Sequence, residues 1–103
     1  MLRGRPDVVI VDLREKSERE KHGSILGSLH APYPDLQENI GEGGMLHELA
    51  EATGKRILFY CAFGERSAMA VQAARDAGLA SACHIHGGID AWKKANGPLS
   101  RSA

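Results

Sequence analysis

Two short apolar runs constrain the fold more than any other feature of this sequence. They are VVIVD, residues 8–12, and RILFYC, residues 56–61, and neither alternates apolar with polar residues. Continuous runs of this kind are typical of strands that are covered on both faces, as in a parallel sheet packed between helices. They therefore predict an α/β domain rather than a half-exposed antiparallel sheet.

Three segments between and after these runs predict helices. Each ends at a glycine, the residue that most often terminates a helix. The first is highly charged and predicts an exposed helix with a solvated face, whereas the third carries apolar residues at helical spacing. The segments are residues 14–23, 35–53 (interrupted by GEGG at 41–44) and 65–79, with Gly23, Gly54 and Gly78 at their ends.

The remaining segments continue the alternation of strands and helices. A short strand is predicted near residues 28–31, and ACHIHGG, residues 82–88, predicts another that is closed by two glycines. Residues 88–97 predict a last helix that ends at Gly97-Pro98. The whole pattern predicts a mainly parallel sheet.

Size and charge exclude several classes of function. The chain has 103 residues, which fits one domain, and it carries 13 basic and 13 acidic residues without a basic cluster that would bind nucleic acid. No apolar run approaches the roughly 20 residues of a membrane span, and the start of the chain lacks the features of a signal peptide. Its two cysteines do not make a disulfide framework. We therefore expect a cytoplasmic protein without a membrane or nucleic-acid partner.

Cys61 stands where a predicted strand stops and a helix is about to begin. Ligands of α/β sheets bind beyond such strand ends. The small residues Ala62 and Gly64 let the backbone curl, so that successive N–H groups and the helix N-terminus face one concavity. Together with Arg66, this arrangement would stabilise a thiolate and hold an anion beside it. A buried structural cysteine is the alternative, but it would need neither the loop nor the arginine.

Four segments resemble a known family. They are VDLRE (11–15), HGSILGSLHAPY (22–33), CAFGERS (61–67) and HGGIDAWKKANGPL (86–99). Together they resemble the rhodanese-like domains, a family of sulfurtransferases. The resemblance implies a three-layer fold with a mainly parallel central sheet and helices on both faces.

The resemblance also implies an activity. Cys61 would take the outer sulfur of thiosulfate, a persulfide or a polysulfide, hold it as a persulfide, and pass it to a thiol or cyanide. No metal or organic cofactor is required for this chemistry. The implied substrate-binding residues are those of the loop, namely Ala62, Phe63, Gly64, Glu65, Arg66 and Ser67.

The length of the loop favours sulfur chemistry over phosphate chemistry. Four residues separate Cys61 from Arg66, whereas phosphatases of the same architecture have five. The shorter loop makes a smaller cradle, better suited to one sulfur atom than to a tetrahedral phosphate. Glu65 adds a negative charge inside the loop, which would offset Arg66 and weaken the binding of a dianionic donor such as thiosulfate.

Other polar residues have a structural interpretation beside a functional one. Asp12 and Arg14 follow the first strand, where they could steady the Cys61 loop, although an ion pair that fixes the strand-to-helix turn is favoured. Cys83, His84 and His86 could suggest a metal site. However, strand alternation sends Cys83 and His84 to opposite faces, so ordinary strand residues are favoured. Cys83 could resolve an oxidised Cys61 only if their Cα atoms come within about 7 Å.

A function of another class stays open on the sequence alone. The chain could be a sulfide-sensing or redox-sensing interaction module, in which Cys61 is modified but turns over little. Only seven residues precede Val8, where the family usually has a helix and a strand. The resemblance therefore implies either a trimmed single domain over residues 1–103 or a fragment of a longer protein. A sulfur-carrier protein or a fused domain would then be a partner.

Overall fold

A parallel sheet forms the centre of the protein, as the apolar runs predict. The computed structural model describes residues 8–25, 27–95 and 99–100. The strands within this part are β1 (Val8–Asp12), β2 (Ser24–Ile25), β3 (Leu29–His30), β4 (Arg56–Tyr60), β5 (Cys83–His84) and β6 (Leu99–Ser100). The helices are α1 (Lys16–His22), α2 (Leu36–Ile40), α3 (Met45–Thr53), α4 (Glu65–Asp76) and α5 (Gly88–Lys94), with a 3₁₀ turn at Tyr33–Asp35.

The main sheet has four parallel strands in the order β3-β1-β4-β5, while β2 and β6 form a separate antiparallel pair. Strands β1 and β4 pair along their whole length, from Val8 opposite Arg56 to Asp12 opposite Tyr60. Because all four strands run in the same direction, their carboxyl ends lie at one edge of the sheet. Cys61, which directly follows β4, is therefore placed at the edge where ligands bind.

Both faces of the sheet are covered, which confirms the predicted α/β fold with helices on both faces. Side chains of β1 and β4 alternate between two apolar cores. One core contains Val11 and Phe59 and is closed by α2, α3 and α4. The other contains Ile10 and Leu58 and is closed by residues of α5. This double burial is the reason that the two runs contain so little polar alternation.

The helices end close to the predicted glycines, but β5 is shorter than the predicted strand over residues 82–88. Gly87 and Gly88 have positive φ angles of 82° and 66°, a conformation that a regular strand does not adopt. The chain therefore leaves the sheet after His84 and starts α5 at Gly88. The predicted stop at Gly97-Pro98 lies outside the described residues.

Candidate active site

Cys61 lies at the bottom of a tight loop between β4 and α4. The residue is fully buried, with 0% of its surface exposed. Its Sγ atom accepts hydrogen bonds from the backbone N–H groups of Gly64, at 3.1 Å, and Ser67, at 3.4 Å. The sequence predicts amides between Ala62 and Ser67 around this sulfur, and these two are the ones that the structure brings to it.

The loop is held in this shape by the start of α5. The backbone N–H groups of Ile89 and Asp90 donate to the carbonyls of Cys61 and Ala62, at 2.9 and 3.1 Å. Since these two carbonyls bind α5, the amides that follow them can turn toward the sulfur. A Cβ atom at Gly88 would lie 2.6 Å from both carbonyl oxygens, so only glycine allows α5 to approach this closely.

A second glycine makes the turn into α4. Gly64 precedes the helix and has a φ of 110°, which is strained for any residue with a side chain. A Cβ atom there would also lie 3.2 Å from the backbone N of Gly87. The turn places the positive N-terminal end of a 12-residue helix beside Cys61, which favours a negative charge on the sulfur.

Three loop side chains surround the mouth of the site. Ala62 is partly buried, whereas Phe63 is 64% exposed. The carboxylate of Glu65 lies near the thiol, with Oε1 3.9 Å from Sγ. The predicted negative charge inside the loop thus lies close to the sulfur of Cys61.

Arg66, which was expected to help hold an anion beside Cys61, is bound by a carboxylate of α1. Its Nη1 and Nη2 atoms donate to Oε1 and Oε2 of Glu18, both at 3.1 Å. The hydrogen bond from Arg66 lowers the pKa of Glu18 against the opposing effect of burial, and the same bond raises the pKa of Arg66. The prediction of a merely solvated face for this helix was wrong at Glu18, because the helix crosses the carboxyl end of the sheet.

Asp12 and Arg14 form the ion pair that the structural interpretation predicted. Arg14 donates from its backbone N, at 2.9 Å, and from Nε, at 3.1 Å, to Oδ1 of Asp12, and from Nη2 to Oδ2 at 3.0 Å. Nη2 also reaches the carbonyl of Gly23 at 2.6 Å, which ties the two ends of α1 together. Burial alone would lower the pKa of Arg14, but the hydrogen bonds and charge of Asp12 outweigh it and raise this pKa.

Tyr60, which directly precedes Cys61, extends this buried network of hydrogen bonds. Its hydroxyl donates to Oδ2 of Asp12 at 2.8 Å and accepts from the backbone N of Ile25 at 3.0 Å. Burial and the nearby negative charge of Asp12 raise the pKa of Tyr60 to about 12. The network links the ends of β1 and β4 to β2, and so supports the site from the opposite face of the sheet.

His84 takes part in the site, although the sequence favoured an ordinary strand residue. Its Nδ1 atom lies 3.1 Å from Oγ of Ser67, and the same Oγ lies 3.7 Å from Sγ of Cys61. The alternation of side chains along β5 already placed His84 and Cys83 on opposite faces of the sheet. The sequence did not reveal which face His84 occupies, because that depends on the pairing of β5 with β4. This pairing sets His84 opposite Phe59 and hence on the same face as Cys61.

Cys83 is not positioned to react with Cys61. Both cysteines are free, and their side chains belong to the cores on opposite faces of the sheet. Cys83 pairs with Leu58, three residues before Cys61, so strand geometry separates the two Cα atoms by roughly 11 Å. A disulfide requires less than about 7 Å.

In the part of the chain that the structure describes, no group of three or more His, Cys, Asp or Glu side chains could hold a metal ion. Cys83, His84 and His86 belong to no such group among these residues. Nor does any helix in this part of the chain have the length and apolar character needed to cross a membrane.

A cleft of about 240 Å³ lies beside the loop and gives a small molecule room to approach it. Its walls come from the loop, from α1 and from α5, and they carry charges of both signs. The lining residues are Arg14, Glu18, His22, Ala62, Phe63, Ile89, Asp90 and Lys93.

Comparison with known proteins identifies the class of domain. The family model of the rhodanese-like domain matches residues 1–95, and the chain therefore belongs to the rhodanese-like family. An uncharacterised protein of Synechocystis sp. is 33% identical over 101 residues, which are 98% of this chain and 51% of that protein. The chain thus spans about half the length of this curated relative.

Two solved structures share the fold. A Rhodopseudomonas palustris protein of unknown function, described as a possible tyrosine phosphatase, is 40% identical with a TM-score of 0.82, over 91% of this chain and 71% of that one. A rhodanese-related protein of Thermoplasma volcanium is 29% identical with a TM-score of 0.76, over 93% and 86% of the two chains. These matches confirm the rhodanese-like fold that the sequence motifs implied.

Proposed function

We propose that this protein is a sulfurtransferase that carries sulfur as a persulfide on Cys61. The observation that carries the proposal is the cradle of Cys61, whose sulfur accepts hydrogen bonds from the amides of Gly64 and Ser67. Amide donors and a helix N-terminus stabilise a thiolate, and the same groups stabilise negative charge on an attached sulfur. A buried core thiol has no use for such donors.

The reaction needs no redox partner, because each step exchanges one sulfur bond for another. The Cys61 thiolate attacks the outer sulfur of the donor and forms a new S–S bond. The old bond of the donor breaks, and its electron pair leaves with the remainder of the donor, which is a thiolate or sulfite. An acceptor thiolate then attacks the outer sulfur on Cys61, and the electron pair of that bond returns to Sγ.

The charges around the mouth favour a donor of low charge over thiosulfate. The loop guanidinium of Arg66 is already neutralised by Glu18, and the carboxylate of Glu65 lies 3.9 Å from Sγ. The carboxylates of Glu18 and Glu65 therefore lie close to the one guanidinium of the loop and weaken its attraction for a dianion. Persulfides and polysulfides with a terminal sulfur are the donors that we propose, with thiols as acceptors and cyanide as a laboratory acceptor.

The same features argue against a phosphatase, despite the description given for the R. palustris protein. A phosphate monoester is a dianion at neutral pH and requires donors on three oxygens. Here only four residues separate Cys61 from Arg66, and that arginine is held by Glu18. The loop therefore suits one sulfur atom better than a phosphate group.

Two features also support a second candidate, a sulfide-sensing or redox-sensing module. Cys61 has no exposed surface, and the nearest loop cation is engaged by α1. A donor must displace side chains before it reaches the sulfur, which would suit slow modification as well as turnover. Steady-state rates with a thiol acceptor distinguish the two, since a sensor becomes modified without releasing product repeatedly.

We place this chemistry in the cytoplasm, because Cys61 and Cys83 are both free thiols and persist best in a reducing compartment. The acceptor can be a small thiol or a cysteine on a sulfur-carrier protein or fused domain. The mixed charges of the cleft beside the loop would contact such an acceptor.

The decisive experiment is mass spectrometry of the intact chain after incubation with a polysulfide, methanethiosulfonate or thiosulfate. We expect one added sulfur on the peptide that contains Cys61 and its loss on addition of a thiol. The Cys61→Ser variant should stay unmodified, whereas the matched Cys83→Ser variant should react as the wild type does. No sulfur on Cys61 with any of the three donors contradicts the proposal.

A further inference from the structure

The hydroxyl of Ser67 lies between the candidate nucleophile and an imidazole. Ser67 is fully buried in the first turn of α4. Its Oγ atom lies 3.7 Å from Sγ of Cys61, 3.1 Å from Nδ1 of His84 and 3.1 Å from the carbonyl oxygen of Gly64. One hydroxyl group thus touches a thiol, a titratable ring and a backbone acceptor.

A hydroxyl carries one proton, so the state of the imidazole decides what Ser67 can do for the sulfur. In the structure the Ser67 hydroxyl can donate to the carbonyl oxygen of Gly64. When Nδ1 of His84 has no proton, the hydroxyl can turn from that carbonyl to Nδ1, while Oγ accepts from the thiol of Cys61. When Nδ1 carries a proton, it donates to Oγ, and the hydroxyl can donate to a Cys61 thiolate or to the Gly64 carbonyl. The two arrangements interconvert by moving two protons along the same line of atoms.

We propose that His84 is a positioning residue that takes the proton of Cys61 through Ser67 and returns it. As the thiol loses its proton to Oγ of Ser67, the hydroxyl proton of Ser67 passes to Nδ1 of His84. The products are a thiolate, an intact hydroxyl and an imidazolium, so that protons and charge balance without another reactant. The proposal deepens the proposed function, since it accounts for the thiolate on which sulfur transfer rests.

Other charged groups lie near this line. Glu65 places a carboxylate 3.9 Å from Sγ, where it can accept a hydrogen bond from the thiol, and His86 places its ring 6.4 Å from the ring of His84. The arginines of the neighbouring elements have other partners: from α4, Arg75 donates to the carbonyl of Ala82, and from β4, Arg56 donates to the carbonyl of Ser81. Because His86 is a second imidazole in the same segment, it is the necessary control.

The test measures alkylation of Cys61 by iodoacetamide as a function of pH, with the Cys61 peptide quantified by mass spectrometry. In the wild type we expect the rate to rise with pH, because the thiolate rather than the thiol reacts. His84→Asn keeps a hydrogen-bonding group near the Nδ1 position but cannot hold the proton. It should slow alkylation at neutral pH by roughly tenfold and move the rise to higher pH.

The control variant is His86→Asn, which changes an exposed imidazole of the same segment and should leave the profile unchanged. A His84→Asn profile equal to that of the wild type overturns the proposal, and so does an equal loss in His86→Asn. Because alkylation needs no sulfur donor, this result is independent of the mass test for a Cys61 persulfide. The proposed sulfur transfer and the proposed passage of the Cys61 proton to His84 through Ser67 can therefore be contradicted independently of each other.

A measurement on the unmutated chain guards against misfolding of the variants. Long-range ¹H–¹⁵N NMR reports which nitrogens of the His84 ring carry a proton before and after Cys61 is alkylated. Alkylation removes the thiolate that pairs with the imidazolium, so the fraction of the ring that is protonated on both nitrogens at neutral pH should fall. An unchanged fraction overturns the proposal, since linked groups must affect each other equally.

Discussion

Glu18 of α1 accepts two hydrogen bonds of 3.1 Å each from Arg66, which belongs to the loop that follows Cys61. Both side chains are close to 30% exposed, so the pair lies at the mouth of the site rather than in the core. Such a pair contributes little to stability, roughly 0.5 kcal/mol. Its effect is on the electrostatics of the mouth, because it neutralises the one cation that the loop itself supplies.

Glu18→Gln should therefore speed the reaction with thiosulfate. Removing one negative charge from the mouth should raise kcat/KM for this dianion by about 3- to 10-fold, with a smaller effect on an organic persulfide, which carries at most one negative charge at its sulfurs. Steady-state kinetics with both donors measures the change. Glu20→Gln, which alters an exposed carboxylate on the same helix, is the matched control. A gain of equal size in that variant would mean that net charge, not the Arg66 pair, is responsible.

Acid should release the same pair. Because the hydrogen bond from Arg66 lowers the pKa of Glu18, the contribution of the pair to stability is fully present above the ordinary glutamate pKa. It is lost as the pH falls through the lowered value in the folded chain. The difference in the free energy of unfolding between wild type and Glu18→Gln, measured with urea, should shrink below about pH 4. A difference that stays constant to lower pH would place the stabilising contact elsewhere.

Glu65→Gln tests the second carboxylate of the mouth. In the wild type we expect added salt to raise kcat/KM for thiosulfate, because salt screens the repulsion of a dianion. The variant should react about 3- to 10-fold faster at low salt, and its dependence on salt should weaken or reverse. Kinetics at several salt concentrations, with Glu51→Gln as a control in α3, measures both effects. A wild-type rate that falls with salt would show that the mouth attracts anions.

The sequence predicted the strands and helices that position the site, because each of them depends on a local sequence pattern. The apolar runs of β1 and β4 predict burial on both faces of the sheet. The glycines after α1, α3 and α4 end those helices where they were expected to end. The position of Cys61 at a strand end follows from the same pattern. The short loop before α4 could also be read directly, since it requires small residues at fixed positions.

The contacts that tune the site could not be read in this way, because they join distant parts of the chain. Glu18 and Arg66 are 48 residues apart, and Ser67 and His84 are 17 apart. Whether they meet depends on how α1 crosses the sheet edge and on the register of β5, neither of which leaves a local pattern. The sequence therefore predicted Arg66 as a residue that holds an anion and His84 as an ordinary strand residue, without the partners that the structure shows.

Tyr60 should make the stability of the protein sensitive to alkali. Burial and the charge of Asp12 raise its pKa to about 12 in the folded chain, against about 10 in an unfolded one. The neutral phenol thus stabilises the fold fully below about pH 10, and this contribution of about 2–3 kcal/mol is lost as the pH rises toward 12. Urea unfolding between pH 8 and roughly 11 measures it.

The control for this prediction is Tyr60→Phe, which removes the titrating group and keeps the ring. It should be less stable at neutral pH by about 1–2 kcal/mol, because Asp12 loses a hydrogen bond. Its stability should then vary less with pH above 10 than that of the wild type. Parallel curves for the two proteins would show that another group titrates in this range.

Comparing Gly88→Ala with Gly54→Ala distinguishes two effects, the strain of a positive φ angle and the packing of α5 against the loop that follows Cys61. Gly88 and Gly54 have similar φ angles, 66° and 69°, but only at Gly88 would a Cβ atom collide with backbone, at 2.6 Å from the carbonyls of Cys61 and Ala62. At Gly54 no atom lies within 4 Å of the added carbon. Both alanine variants should lose about 1–2 kcal/mol from the left-handed conformation alone.

Gly88→Ala should lose more stability than Gly54→Ala and, in addition, its reactivity at Cys61. If α5 must shift, the carbonyls of Cys61 and Ala62 lose the amides of Ile89 and Asp90, and the loop amides are no longer directed at the sulfur. Iodoacetamide alkylation at neutral pH should therefore slow roughly tenfold or more in Gly88→Ala and stay unchanged in Gly54→Ala. Equal alkylation rates in the two variants would mean that the cradle around Cys61 forms without α5.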